Sequence, residues 1–115
     1  MDLQRQYNGL FWVKGGMSAE ILQQVVALSK ENPFFDVEPT MIEVEYTGRD
    51  TSRVVVRALR RLARIVGQAD GEVQCQISGD VDQLWFEFFT IQDGRLFCQR
   101  GDVVRHPKEE VLLEE

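Results

Sequence analysis

The stretch LWFEFFTIQDGRLFCQR constrains the fold more than any other part of the sequence. It contains two runs rich in aromatic and apolar residues, Leu84 to Ile91 and Arg95 to Arg100, and such runs are typical of strands. Between them, Asp93-Gly94 supplies the positive φ angles that a tight hairpin turn requires. The stretch therefore predicts an antiparallel hairpin, whose sheet must bury one of its two aromatic faces.

Hydrophobic periodicity predicts two helices and further strands in the rest of the chain. A helical pattern follows Ser18, a good N-cap, and stops at Asn32-Pro33. A second helical pattern follows a group of candidate caps, Asp50 to Ser52, and ends at Gly67. Alternation of apolar and polar residues indicates the strands. The further predicted strands are Gly9 to Gly16, Thr40 to Gly48 and Glu72 to Ser78, with Asp102 to Arg105 as a short last strand.

The order of these elements is β-α-β-α-β-β-β(-β). It predicts an α+β two-layer sandwich, in which two helices pack on one face of a mostly antiparallel sheet. A chain of 115 residues fits one such domain. We expect this domain to span residues 1–106, with residues 107–115 as a C-terminal tail that forms a short helix or frays.

The strand from Leu84 to Ile91 has two faces, and one charge suggests which face is buried. Trp85, Glu87 and Phe89 point one way, whereas Phe86 and Phe88 point the other way. A charged residue is usually exposed, so Glu87 marks its own face as the solvent side. We therefore expect Phe86 and Phe88 to join the core. The expected core also contains Val44, Leu59, Leu62 and Ile77.

Exposed aromatic side chains among acidic ones are typical of a surface that binds another protein. The expected contact surface consists of Trp85, Glu87 and Phe89, flanked by Glu43 and Glu45 of the neighbouring alternating strand. Two other arrangements would also cover these rings. Another segment of the chain could pack on them, or two copies of the chain could form a homodimer.

Arginines form a stripe along the second predicted helix. At about 100° per residue they fall within a sector of about 120°, opposite the apolar residues. The like-charged pairs along it cost on the order of 1–3 kcal/mol together, unless acids or a partner offset them. The stripe is either a solvated helix face or a recognition face for an acidic protein or an anionic ligand. It consists of Arg49, Arg53, Arg57, Arg60, Arg61 and Arg64.

Composition and motifs narrow the function classes. The net charge of −6 argues against nucleic-acid or membrane binding and suits a basic partner. No run of apolar residues is long enough to span a membrane, and the polar start of the chain predicts a cytoplasmic protein. Cys75 and Cys98 are expected to be reduced and buried in strands. His106 is the only histidine, and no zinc, nucleotide or catalytic spacing is present, so we expect no cofactor, no metal and no enzymatic activity.

The stretch GEVQCQISGDVDQLWFEFFTIQDGRLFCQRGDVVR resembles the strand meander of small acidic bacterial immunity proteins of polymorphic-toxin and contact-dependent inhibition systems. The resemblance implies a protein that binds and masks a toxin, and it transfers no functional residues. Our leading hypothesis is therefore a non-enzymatic binding protein with a basic partner such as a toxin domain. The alternative is a small regulatory module that binds an anionic ligand or acidic partner through the arginine stripe.

Overall fold

The structure is a computed structural model that describes residues 3–79, 84–102, 107 and 110. Two helices and six strands form in these residues. In chain order they are β1 (Gln4–Trp12), α1 (Ala19–Glu31), β2 (Phe35–Glu38), β3 (Met41–Gly48), α2 (Val54–Val66), β4 (Asp70–Ser78), β5 (Trp85–Gln92) and β6 (Arg95–Asp102).

The six strands form one antiparallel sheet with the order β2-β3-β1-β4-β5-β6, and both helices pack on the same face of it. Helix α1 connects β1 to β2 and packs against β2, whereas α2 connects β3 to β4 and packs against α1 and β6. This is the split β-α-β connectivity of the ferredoxin-like fold, and the hairpin of β5 and β6 extends it beyond β4. The predicted α+β two-layer sandwich is confirmed.

The elements differ from the sequence prediction at two places. Strand β2 was not predicted, because it has only four residues, too few for a clear alternation, and stands between Pro33 and Pro39. Strand β1 begins at Gln4 rather than at Gly9, because polar residues on its solvent side conceal its start. Of the predicted strand Asp102 to Arg105, Asp102 ends β6 and residues 103–105 lie outside the described residues. The predicted tail, apart from residues 107 and 110, lies outside them as well.

The helix ends follow the predicted capping signals. The Ser18 hydroxyl accepts a hydrogen bond from the backbone N–H of Ile21, so it satisfies a donor that the first turn of α1 leaves open. Gly67 ends α2 with φ +77, and its N–H donates to the carbonyl of Ala63. Glycine adopts this positive φ without steric strain, and the chain can therefore turn at Gly67 from α2 into β4.

The buried face of β5 is the opposite of the predicted one. Phe89 pairs with Val73, and Glu87 pairs with Cys75, so these side chains share the helix-facing side of the sheet. Phe89 is 2% exposed and Glu87 only 7%. The prediction was wrong because Glu87 is paired with Arg53, the residue immediately before α2, and therefore does not mark a solvent side.

The remaining core residues agree with the sequence prediction. Val44, Leu59, Leu62 and Ile77 are buried between the sheet and the two helices. They pack with two rings of the central strand that were not predicted, Tyr7 and Phe11. Phe86 and Phe88, which were expected to join them, lie on the other face of the sheet and are half-buried.

Two neighbouring phenylalanines of β5 test this assignment of faces. Phe89→Ala removes a buried ring and should lower the free energy of unfolding by about 3–5 kcal/mol. Phe88→Ala, on the same strand but the opposite face, should lower it by about 1–2 kcal/mol, because its ring is only half-buried. Urea unfolding of the two variants measures both values. A larger loss for Phe88→Ala would contradict the assignment.

Candidate functional site

The face of the sheet turned away from the helices, called here the open face, has no helix over it within the described part of the chain. Strand register places its side chains in rows across the sheet, because directly opposite residues of antiparallel strands point to the same side. One such row crosses five strands. It consists of Glu45, Asn8, Gln74, Phe88 and Gln99.

The open face is strongly acidic. The alternation of β2, β3 and β4 brings six carboxylates to it, whereas Arg95, beside the β5–β6 turn, is the one cationic side chain that the described strands place there. Such a surface attracts a basic partner and repels an acidic one. The six carboxylates are Asp36, Glu38, Glu43, Glu45, Asp70 and Glu72.

Three phenylalanines form an aromatic ridge at the other side of the open face. Phe86 and Phe88 of β5 stack with their ring centroids 6.0 Å apart, and Phe97 of β6 is 47% exposed. The Phe88 ring also covers Gly101, where an added Cβ would come within 3.0 Å of it. The ridge is thus partly ordered by its own contacts and presents rigid apolar area to solvent.

Beneath α2, on the helix-facing side, a buried polar cluster joins the helix to the sheet. The Tyr7 hydroxyl of β1 donates to Asp50 Oδ2 at 2.9 Å. The other carboxylate oxygen, Oδ1, accepts from the backbone N–H of Val54 at 2.7 Å and of Val55 at 3.4 Å. The residue at the N-cap position is Arg53, whose own side chain makes no capping hydrogen bond, so among the three candidate caps Asp50 supplies the accepting oxygen. Asp50 holds a left-handed φ of +46 to do so.

The same cluster continues to β5 and β6. Arg53 Nη2 donates to Glu87 Oε1 at 3.0 Å, and the Cys98 thiol lies 3.8 Å from Glu87 Oε2 as a weak donor. Arg53 also has a left-handed φ, +54, which turns its side chain back towards the sheet. Asp50 and Arg53 are thus two non-glycine residues in this rare conformation only three positions apart, which indicates that the contacts below α2 determine the loop geometry.

Burial changes the proton affinities in this cluster. It raises the pKa of the Cys75 thiol to about 11. It also raises the pKa of the Tyr7 hydroxyl well above its ordinary value, and nearby Cys75 and Asp50 add to this effect. The pKa of Cys98 is also raised, by partial desolvation of its sulfur and by the adjacent Glu87, even though the residue as a whole is exposed. Both thiols are therefore protonated at neutral pH, which makes them weak nucleophiles. Cys98 is exposed, contrary to the sequence expectation, whereas Cys75 is buried as expected.

The predicted contact surface is divided between the two sides of the sheet. Glu43 and Glu45 lie on the open face as expected. Trp85, Glu87 and Phe89 lie on the helix-facing side, so the exposure on which their role rested is not found. The sequence analysis missed the aromatic ridge for the same reason. The sequence held one signal for the correct face, because an arginine of the stripe could neutralise Glu87 and so allow its burial.

The arginine stripe is exposed over most of its length. Arg57, Arg60, Arg61 and Arg64 are exposed, and Arg61 pairs with Glu31 of α1 at 2.9 Å. The other three of these side chains have no ion pair with any described residue. At the helix start Arg49 is exposed too, and its carbonyl oxygen accepts a hydrogen bond from the guanidinium of Arg5. The sixth arginine, Arg53, is half-buried against Glu87.

An anion at the start of α2 would compete with the chain's own carboxylate. The backbone N–H groups that a phosphate would use there already donate to Asp50. A ligand of the arginine stripe would therefore contact its exposed middle and end rather than its first turn.

No protein-family model, curated protein or solved structure matches the chain. Helices α1 and α2 have 13 residues each, and neither is long and apolar enough to cross a membrane. Among the described residues, no group of His, Cys, Asp and Glu side chains is placed to hold a metal ion.

The buried polar cluster should contribute measurably to stability. Asp50→Ala removes the cap of α2 and leaves the Tyr7 hydroxyl buried without its acceptor, so we expect the free energy of unfolding to fall by about 2–4 kcal/mol. Asp36→Ala, which removes an exposed carboxylate, should change it by less than about 0.5 kcal/mol. Chemical denaturation at neutral pH compares the two. Equal effects would show that the cluster does not anchor the helix.

Stability should also fall at alkaline pH. Below pH 9 the Cys75 thiol is protonated in both the folded and the unfolded chain, so its contribution is complete. As the pH rises above its ordinary pKa of 9.0, the unfolded chain loses the proton first. The free energy of unfolding should therefore fall by about 1 kcal/mol between pH 9 and 10 from this thiol. Tyr7 extends the loss above pH 10, because burial raises its pKa as well.

Urea unfolding across this pH range measures the loss, and two alanine variants assign it. Cys75→Ala should flatten the fall between pH 9 and 10, whereas Cys98→Ala should flatten it less because that thiol is exposed. An unchanged fall in Cys75→Ala would mean that another group causes it.

Proposed function

We propose that this protein is a non-enzymatic binding module whose open face holds a basic region of another protein. The observation that carries the proposal is that the described strands place six carboxylates, one arginine and a partly ordered aromatic ridge on one surface. The ridge supplies apolar area that a partner can bury, and the carboxylates supply charge complementarity.

The two parts of the open face support different steps of binding. Acidic side chains accelerate encounter with a basic protein at low ionic strength, and this effect weakens as salt screens the charges. Aromatic side chains that are already held in place lose little conformational entropy on binding, and anchors of this kind contribute 2 kcal/mol or more at typical interfaces. The proposed interface thus needs no rearrangement of the sheet.

A basic toxin domain is the partner class that the resemblance to immunity proteins implies. An inhibitor of this kind acts by covering its target, which requires a broad complementary surface and no catalytic group. We further propose that the protein acts in the cytoplasm, since both its cysteines are free thiols and a reducing compartment keeps them so.

A second candidate function is binding of an acidic protein or an anionic ligand through the arginine stripe. Arg57, Arg60 and Arg64 favour it, because these exposed cations repel one another along α2 without a described carboxylate in ion-pair range. A bound polyanion would relieve this repulsion. The two candidates require partners of opposite charge, so one experiment separates them.

The test is a quantitative comparison of charge-reversal variants. The tagged protein captures its stoichiometric partner from host lysate, and the purified partner is then titrated against each variant by calorimetry. Glu43→Lys with Glu45→Lys should weaken binding at least tenfold, because it reverses charge at the centre of the acidic surface. Glu20→Lys with Gln23→Lys and Gln24→Lys, which changes the net charge by the same amount at exposed positions of α1, should weaken it less than threefold.

The salt dependence and one further variant complete this test. Binding through the open face should weaken as salt rises, and the partner should be basic at neutral pH. If Arg57→Glu with Arg64→Glu abolishes binding while the Glu43 and Glu45 variant binds as the wild type does, the arginine stripe is the binding surface and the open-face proposal is wrong.

A further inference from the structure

We propose that two copies of this chain pair antiparallel through their β6 strands, which joins their sheets into one continuous open face. The first observation is the difference between the two edges of the sheet. Edge strand β2 is four residues long, carries Asp36 and Glu38, and is followed by Pro39. These features protect an edge from pairing with another strand.

Edge strand β6 carries charges only towards its ends, at Arg95, Arg100 and Asp102, and its middle from Leu96 to Gln99 is uncharged. It has eight residues, contains no proline, and no strand lies beyond it in the described part of the chain. Among the described residues, no strand pairs with the outward-pointing backbone N–H and C=O groups of β6. Phe97 of this strand is also 47% exposed, so pairing would bury apolar area in addition to backbone groups.

A second copy is the occupant that the sequence of β6 fits. A two-fold axis perpendicular to the sheet keeps each face of the sheet on the same side in both copies. Residues that lie opposite each other must therefore belong to the same face. This holds only when the axis passes through one residue of β6, which then lies opposite the same residue of the second copy. Only Cys98 and Gln99 lie at the middle of the strand, where pairing is longest. An axis at Gln99 would bring the two Arg100 side chains together as diagonal neighbours, which costs energy because their charges are alike. The axis at Cys98 avoids this contact.

This register has favourable neighbours on both sides of the sheet. Phe97 lies opposite Gln99 of the second copy, and the two Phe97 rings become diagonal neighbours about 7–8 Å apart, within reach of aromatic side chains. On the helix-facing side Leu96 lies opposite Arg100, so its apolar side chain covers the arginine stem. No two like charges are directly opposite.

Pairing would also change the position of the aromatic ridge. In one copy the ridge lies at the β6 edge of the open face, whereas in the pair the two ridges meet at the centre with acidic strands on either side. Anchor residues of protein interfaces cluster near the centre, where water is excluded. The paired sheet is therefore a better surface for the proposed basic partner, although the pairing itself does not depend on that partner.

Sedimentation velocity of the full chain without any partner protein tests the pairing. The wild type, with a chain mass of 13.3 kDa, should sediment as a dimer at about 100 µM, since a small interface gives micromolar affinity. Phe97→Glu places two carboxylates near each other across the axis and should raise the dimer dissociation constant at least tenfold. Trp12→Glu is the matched control. It replaces a ring that is 53% exposed on the same face but lies in β1, three strands from β6, and should change the constant less than twofold.

A wild type that stays monomeric at this concentration would overturn the proposal, and so would equal effects of Phe97→Glu and Trp12→Glu. Cross-linking provides a second test that needs no folded variant. Opposite residues have Cα atoms about 4.5–5.5 Å apart, which suits a disulfide. Copper–phenanthroline, added as an oxidant that takes two electrons as two thiols lose their protons, should therefore join the two Cys98 residues of the wild-type dimer and leave the buried Cys75 unreacted. A dimer that forms no Cys98 cross-link would show that the copies do not pair through β6 in this register.

Discussion

The ion pair between Arg53 and Glu87 determines how helix α2 sits on the sheet. It places a charged carboxylate of β5 in the helix-facing layer, where it would be costly without a cation at 3.0 Å. Removal of either partner would leave the other charge poorly compensated. Asp50 adds the second attachment, because its two oxygens bind the Tyr7 hydroxyl and the first N–H groups of α2. The left-handed conformations of Asp50 and Arg53 follow from these contacts.

The sheet separates opposite charges onto the two sides of the molecule. Carboxylates of β2, β3 and β4 lie on the open face, and arginines of α2 cover part of the helix layer. Since the sheet itself lies between them, most of these charges cannot pair within one chain. Two arginines of the stripe pair with carboxylates on the helix side itself, Arg53 with Glu87 and Arg61 with Glu31. A molecule with this polarity discriminates partners by the sign of their charge, which is the physical basis of the function that we propose.

Apolar exposure is unevenly distributed around the same sheet. The ridge of Phe86, Phe88 and Phe97 lies beside the long unprotected edge, whereas the short edge is acidic and ends at a proline. Exposed rings and free backbone groups at one place both favour association. The proposed pairing of β6 and the proposed binding of a basic partner use different groups of this region, the backbone edge and the open face. They can therefore occur together.

The sequence by itself determined the fold class, the two helices with their caps at Ser18 and Gly67, and most of the strands. These features depend on local periodicity and on capping chemistry, which neighbouring residues carry. It also identified Glu43 and Glu45 as surface residues, because their strand alternates without interruption. Strand β2 escaped detection, since four residues between two prolines give almost no periodic signal.

Only the tertiary structure decided which face of β5 is buried. Both faces of this strand carry large aromatic residues, so alternation alone allows either orientation, and a shift of one residue inverts every assignment. The charge of Glu87 was the feature that decided between the two faces in the sequence analysis. It indicated the wrong face, because its partner Arg53 is 34 positions distant in the chain and the pair is not recognisable locally. The composition of the open face depended on the same choice. A long-range ion pair has no local signature, and therefore the position of the aromatic ridge could be known only after the helix had been placed on the sheet.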